Sequence, residues 1–427
     1  MTILISGGGI GGLTLALTCW QIGLPVRVIE QAREIKPLGV GINLQPNAVR
    51  ELLDLGLGPD LERIGVRTEE LAMIAGNGRE VWREKRGLSA GYRWPQYSLH
   101  RGELLMVLYF AVMERLGASA IETGVRGLAY RTEGEEAVLE TERGDRRGAV
   151  LIGADGLHSR IRAQMHPEEG PPIWAGALLW RGATRMKPAK LFAETNLMAM
   201  IGDYGQKFVT YPITRPDERG EALINWIAER AFDPGHGWAR EDWSREVPVE
   251  DFIDWFGDWR FDWLDAPALI RGARKVYEYP MVDRDPLPYW TEGRVTLMGD
   301  AAHIMYPTGS NGASQAIVDA RRLGRAFLDH GPGPAALADY EAEMRPRMAR
   351  VIMANRGAGP DYVLEIVKQR SGGAFDDIEA VMPLEERRAF AAEYKKTAGF
   401  SVDALNAAPP LIPEGARHRR KVGAGNR

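Results

Sequence analysis

The sequence contains one cysteine, Cys19, in 427 residues. That excludes an internal disulfide and any paired-thiol redox centre. Its seven histidines include no close pair at ligand spacing, so no metal site is expected. No Gly-x-Ser-x-Gly elbow occurs, which removes the α/β-hydrolase nucleophile. No apolar run reaches the roughly 18 residues of a membrane span. A net charge of −4 makes no electrostatic case for nucleic acid. The first basic residue is Arg27, so the apolar start lacks the charged region of a secretion signal, and a cytoplasmic protein is expected. The chemistry is therefore expected from a bound organic cofactor. At 45% apolar and 26% charged residues, the chain suits two or three globular domains.

What is present begins at the N-terminus. Thr2 to Ser6 reads as a short strand running into Gly7-Gly8-Gly9-Ile10-Gly11-Gly12, which fits G-x-G-x-x-G through Gly7, Gly9 and Gly12. Leu13 to Ile22 continues as an apolar helix, and Val26 to Ile29 is a second strand closed by Glu30. This is a dinucleotide-binding βαβ unit in its required order. The glycines admit a pyrophosphate to the backbone, and the helix start offers it N–H groups and positive dipole. Glu30, 18 residues after Gly12, suits a ribose hydroxyl. The unit leaves FAD and NAD both open.

A second informative stretch lies far downstream. Arg294 to Met298 reads as a buried strand ending in Gly299-Asp300; a loop containing Pro307 and Gly309 follows, then a helical pattern from about Asn311. A strand ending in a carboxylate beside a helix N-terminus suits a polyol and a developing negative charge. Between these ends, Gly39 to Ala48 forms a Gly-bracketed loop into a helix over 48–55, and strands are expected over 68–83. Arg101 opens a helix to about Leu116, and strands over 120–152 end in Gly153-Ala154-Asp155-Gly156. Residues 172–285 are mixed strands rich in Trp and Tyr, and 336–400 are mainly helical. Five tryptophans fall in Trp238 to Trp263, and Phe252, Trp255, Phe256 and Trp259 stand at helical spacing, which fits a core-facing helix or an aromatic cage. The tail from 406, with its basic run Arg417 to Lys421, is expected to be disordered.

Three motifs thus stand in order: Gly7–Gly12 with Glu30, Gly153–Gly156 with Ser159 and Arg162, and Gly299-Asp300 through Asp319. Over about residues 1–355 the trio resembles the single-component FAD-dependent aromatic hydroxylases, the group of 4-hydroxybenzoate and salicylate hydroxylases. Pro37 to Asn43, Pro95 to Leu104 and Tyr279 to Pro288 are similar, more narrowly, to the pyocyanin-forming phenazine hydroxylases. The resemblance implies an α/β fold: a Rossmann-like FAD-binding domain of the 4-hydroxybenzoate hydroxylase type, an inserted mixed-sheet substrate domain and a C-terminal helical segment. The expected boundaries are 1–67, 98–171 and 286–335 for the FAD-binding domain, 68–97 and 172–285 for the substrate domain, 336–405 for the helical region and 406–427 for the tail. The resemblance also implies that Gly7, Gly9, Ile10, Gly11, Gly12, Glu30 and Gln31 hold the ADP half of FAD. Arg101 would serve the pyrophosphate and ribitol, Asp155 and Gly156 the FAD and nicotinamide cofactor, and Gly299 and Asp300 the ribitol hydroxyls. Pro307, Gly309, Asn311 and Gly312 would pack beside the isoalloxazine, with Val40, Gly41 and Ile42 on its other side.

The implied reaction consumes O2 and NADH or NADPH. Reduced flavin captures dioxygen at C4a as a hydroperoxide that oxygenates an aromatic or heteroaromatic ring, a ring carboxylate with loss of CO2 included. Anionic reduced flavin needs donors near N1, which the helix start at Asn311-Gly312 suits. Pro307, Asn311, Gly312 and Tyr211 are the expected catalytic group. Water must be kept out by an apolar pocket; Trp180, Tyr204, Tyr211 and Trp226 suit such a wall or a sheet core, and Met305 and Tyr306 complete the expected substrate set. Arg181 suits a substrate carboxylate or an ion pair. Tyr211, Tyr306 and His303 are candidate bases, with a structural hydrogen bond the alternative for His303. No second G-x-G-x-x-G follows a strand, so the nicotinamide cofactor is expected to dock transiently. The Trp-x-Trp-x-Ile-Pro motif of flavin halogenases is absent. A non-catalytic flavin-binding redox sensor is the alternative, and the 307–312 loop speaks against it. A monomer or homodimer with no nucleic-acid partner is expected.

Overall fold

A computed structural model describes residues 2–189, 192, 195–233, 235, 245–357 and 359–418. Trp238, Trp243 and the basic residues Arg419 to Lys421 lie outside the described residues.

The N-terminal pattern builds a six-stranded sheet. Ile3–Ser6 lies between Val150–Gly153 and Val26–Glu30, with Val295–Leu297 and Ile121–Thr123 beyond them, these five pairing in parallel, and Thr291–Glu292 adds an antiparallel edge to Val295–Leu297. Ile3–Ser6, Val150–Gly153 and Val295–Leu297 are short and buried on both faces, as parallel strands covered by helices must be. The helices Ile10–Gln21, Arg101–Leu116, Gly312–His330 and Pro334–Gly357 share one apolar core with them, and Cys19 belongs to it. The glycine loop, Asp155 and Asp300 all follow the carboxyl ends of this sheet's strands, where open α/β sheets bind ligands.

A second sheet has seven strands in the order Val276–Asp283, Ile173–Met186, Ala222–Ala231, Gln206–Pro212, Met198–Gly202, Glu70–Ile74 and Glu80–Lys85. It is mixed, with one parallel pair between Met198–Gly202 and Glu70–Ile74. A three-stranded antiparallel sheet, Gly41–Leu44, Gln96–His100 and Gly65–Thr68, contributes the Gly39–Ile42 loop.

The seven-stranded sheet has two different faces because side chains alternate along a strand. One face carries Trp180, Phe208 and Trp226, packed on Phe252 and Phe256. Phe252 joins two short 3-10 turns, Val249–Asp251 and Ile253–Phe256, and Phe256 is the last residue of the second, in place of the α-helix expected from their spacing. Gly257 ends the second turn and the chain then enters a small hairpin, so the periodicity marks burial rather than helix. The other face carries Leu71, Met73, Met198, Met200, Val209 and Tyr211 and meets Val363, Leu364, Val367 and Met382 of the C-terminal region.

Of residues 406–427, expected to be disordered, 406–418 are described and are anchored to the body at a few points. Ile412 is 1% exposed, the Arg50 guanidinium donates to the carbonyls of Ala408 and Pro409, and the His418 N–H donates to the Ile22 carbonyl at 2.8 Å. One apolar side chain between two prolines suffices to anchor a segment whose composition reads as a tail. Among the described residues no helix is long and apolar enough to cross a membrane.

Candidate active site

The glycine loop is built by necessity and by vacancy. Gly7 has φ +118°, and a Cβ there would lie 2.7 Å from the Ala154 carbonyl carbon. Gly9 has ordinary extended backbone, and nothing lies within 4 Å of where its Cβ would be. Gly7 is thus demanded by the fold, whereas the space beside Gly9 is open to a ligand. This cradle at a helix start fits the pyrophosphate of a dinucleotide. Glu30 accepts the N–H groups of Gly8 at 2.6 Å and Ala32 at 2.7 Å, which holds the loop and leaves lone pairs for a ribose hydroxyl. Ile10 is buried, Gly11 packs on Met298 and Ala316, and Gln31 is exposed.

Asp155 serves the fold first. It accepts the Ser159 hydroxyl at 2.6 Å and the Arg160 N–H at 2.9 Å, capping helix Arg160–Met165. Burial raises its pKa, opposed by these donors. Gly156 has φ +77°. Ser159 caps Arg162, whose buried guanidinium donates to the Ala301 and Ala302 carbonyls, so the second motif holds the third. Asp300 is exposed at the first turn of Asp300–His303. Behind it Asp319 accepts the Gly299 N–H at 2.9 Å and sits 2.5 Å from Nε2 of His303, both side chains fully enclosed. His303 is therefore a structural partner of Asp319. Burial opposes its protonation, but the Asp319 carboxylate outweighs burial and raises its pKa.

The Gly39–Ile42 loop is clamped by the seven-stranded sheet. Gly41 donates to Oδ1 of Asn225 at 2.7 Å and accepts from Arg181 Nη2 at 3.0 Å. A Cβ on Gly41 would press within 2.6 Å of the Asn225 side chain. Val40 is buried and accepts the Arg101 N–H, while the Arg101 side chain is exposed.

A cleft, partly open to solvent, lies between the loop Pro307–Ser310, one face of the seven-stranded sheet and the C-terminal helices. Strand register explains its lining. Lys207, Val209 and Tyr211 share a face with Glu229, Ile227 and Asn225 opposite them, and Met198 and Met200 continue it to Leu71 and Met73. Trp180 pairs with Ala228 and Trp226 with Thr210, one residue out of phase, so both point into the aromatic layer. Trp180 stacks on Phe252 at 4.7 Å, and Trp226 donates to Thr184. Tyr204 packs on Tyr362 at the strand turn, beside Lys207. Met305 and Tyr306 are buried in neighbouring cores, Tyr306 against Tyr279 and Met281. Arg181 lies over Tyr279 and holds Gly41. Of the expected substrate residues, Tyr211 alone lines the cleft. Burial pushes its phenol up to about 12, with the Arg181 charge pulling the other way, so at neutral pH it is a donor and not a base.

The C-terminal helices supply what the motifs did not signal. Tyr394 packs on Gly309, accepts from Asn311 Nδ2 at 2.8 Å and donates to Asn355 Oδ1 at 2.9 Å. Gln315 donates to the Ala398 carbonyl at 3.0 Å. Gly312 opens helix Gly312–His330, and no Cβ neighbour crowds it. Asp361 closes the cleft with a 2.5 Å bond to Lys207, which also pairs with Glu229 at 3.1 Å. Lys395 bonds Glu84 at 2.7 Å, and Arg86 bonds the same carboxylate at 2.5 Å. No pattern of spacing announced these residues, because most of their contacts join distant parts of the chain, from 39 positions for Tyr394 and Asn355 to 311 for Lys395 and Glu84.

Comparison with known proteins fits this geometry. A family model described as an FAD binding domain matches residues 1–231 and 278–355. The chain is 43% identical over 364 residues to phenazine 1,6-dicarboxylic acid hydroxylase PhzS of Lysobacter antibioticus, covering 83% of this chain and 89% of that one. It is 29% identical over 388 residues to a salicylate hydroxylase of Pseudomonas putida, covering 85% and 86%. Among solved structures, Klebsiella pneumoniae HpxO complexed with FAD and uric acid superposes with a TM-score of 0.71 at 21% identity, over 96% of this chain and 97% of that one.

Proposed function

The chain belongs to the FAD-binding-domain family of aromatic hydroxylases, and from that premise we propose that it hydroxylates a fused-ring heteroaromatic carboxylate of the phenazine kind. The reaction draws electrons from NADH or NADPH and one oxygen atom from O2. The observation that carries the substrate class is the cleft: it runs from Pro307–Ser310 along an apolar, methionine-rich wall that also carries buried charged groups. Phenazine dicarboxylate is the substrate in the name of the 43%-identical relative, which supports the same class here.

FAD, when bound and reduced, supplies the activation of dioxygen. The chain's own residues do the rest. The Gly7–Gly12 loop and Glu30 hold the ADP half, Asp300 the ribitol, and Arg101 the phosphates. Free N–H groups at Gly312 and Ala313 begin helix Gly312–His330 and stabilise negative charge developing on the ring system. Tyr394 and Asn355 hold the 308–311 loop so that those donors are arranged before the reaction. Met73, Met198, Met200 and Val209 exclude water from the reacting atoms. Tyr211, kept protonated, donates a hydrogen bond to a ring substituent.

The test is turnover of holoenzyme with NADH or NADPH and phenazine-1,6-dicarboxylate, with products weighed by mass spectrometry. Ligand-stimulated oxidation with a product heavier by one oxygen atom is expected. Stimulation by salicylate with none by any phenazine carboxylate would overturn the substrate class.

A further inference from the structure

The cleft wall carries two charged groups of opposite balance. At one, Lys207 meets two carboxylates, Asp361 and Glu229. At the other, Arg86 and Lys395 share one carboxylate, Glu84. Among the described residues no other carboxylate pairs with either cation. The second group is enclosed: the Glu84, Arg86 and Lys395 side chains are 10%, 11% and 18% exposed. It retains one uncompensated positive charge where solvent screens it poorly. Burial and then the Arg86 charge lower the Lys395 pKa, opposed by Glu84. Two donors beside it have no acceptor: Arg86 Nε and Trp82 Nε1 are buried and unbonded. All four residues line the same cleft as Pro307–Ser310.

We propose that Arg86 and Lys395, held apart by Glu84 and assisted by Trp82 Nε1, form the station that binds the carboxylate of the aromatic substrate. This rests on the cleft being the substrate site, as argued above. A carboxylate has the two missing properties together, a negative charge and acceptor lone pairs for buried N–H donors. The Lys207 group is already over-neutralised and would repel an anion. Strand register and helix docking build the station jointly. Glu84 stands opposite Leu71 on the cleft face, Arg86 follows at the strand end, and helix Leu384–Ala398 brings Lys395 from the other side. The same helix holds the flavin-side loop through Tyr394, so one element positions both ends of the cleft.

The test compares phenazine-1-carboxylate with phenazine-1-carboxamide, which has the same rings and no charge. Dissociation constants are read from perturbation of the bound flavin's visible spectrum in holoenzyme. The protein is expected to prefer the carboxylate, and Lys395→Met and Arg86→Gln to erase about tenfold or more of that preference. Lys395→Arg keeps the charge and is expected to restore it, which separates lost recognition from lost folding. Equal affinity for both ligands in the unsubstituted protein, or an equal loss of both in the variants, would overturn the station. Selective carboxylate binding without oxygenated product would sustain the station and sink the proposed reaction instead. Binding of neither ligand would sink both.

Discussion

Gly7 and Gly9 look alike in the motif and differ in what they do. Gly7 carries a backbone angle and a close approach that an alanine cannot match. Gly7→Ala is expected to cost about 3 kcal/mol or more and to give little holoprotein, read by urea unfolding and flavin content. Gly9→Ala meets no protein atom. It is expected to leave apoprotein stability within about 0.5 kcal/mol and to weaken FAD about tenfold or more, read by flavin titration. Loss of apoprotein stability in Gly9→Ala would count against its assigned role. His303 offers a pH test at the same scale. Its folded pKa is raised above the ordinary 6.5 by Asp319, so its stabilising contribution is full below that value and fades as pH climbs through the raised one. The stability gap between the protein and His303→Gln is therefore expected to be largest near pH 6 and to shrink towards pH 9. A gap that widened with pH would mean that His303 folds neutral.

At the scale of elements, periodicity told burial more reliably than conformation. The aromatic series at 252–259 is core, as its spacing allowed, but its backbone forms short 3-10 turns. Strands and the helices Pro46–Asp54, Arg101–Leu116 and Gly312–His330 followed their patterns closely, since each pairs a sustained apolar face with Gly or Pro punctuation. The terminal segment went the other way, because one anchor residue leaves no periodic trace. Ile412 packs beside Gly324 of helix Gly312–His330. Ile412→Ala is expected to destabilise the protein by about 2–4 kcal/mol, measured by urea denaturation. A change below about 0.5 kcal/mol, typical of surface sites, would show the segment undocked in solution.

For the whole molecule, the decisive junction is where the seven-stranded sheet meets the C-terminal helices. Lys207 is buried between Asp361 from the helices and Glu229 from its own sheet. Burial disfavours its charge, but the two carboxylates outweigh that and raise its pKa. Asp361→Ala strips the nearer partner from an enclosed ammonium. It is expected to cost about 3–5 kcal/mol and to loosen the C-terminal helices from the sheet, read by calorimetry and by faster proteolysis after residue 357. Unchanged stability would mean that Glu229 alone satisfies the lysine.

Sequence alone pointed to the proposed nucleotide end of the site, because its demands are local. A glycine loop between strand and helix, an acid closing the next strand and a strand ending in Gly-Asp each act within a few residues. Tertiary structure decided the end proposed for the substrate. Which of Trp180, Tyr211 and Trp226 faces the cleft depends on strand register, where a shift of one residue reverses the face. That Arg86 meets Lys395 depends on a helix docking more than 300 positions along the chain. Cross-chain charge pairing has no period for a sequence to display, and it is the chain's return over its own sheet that builds the cleft.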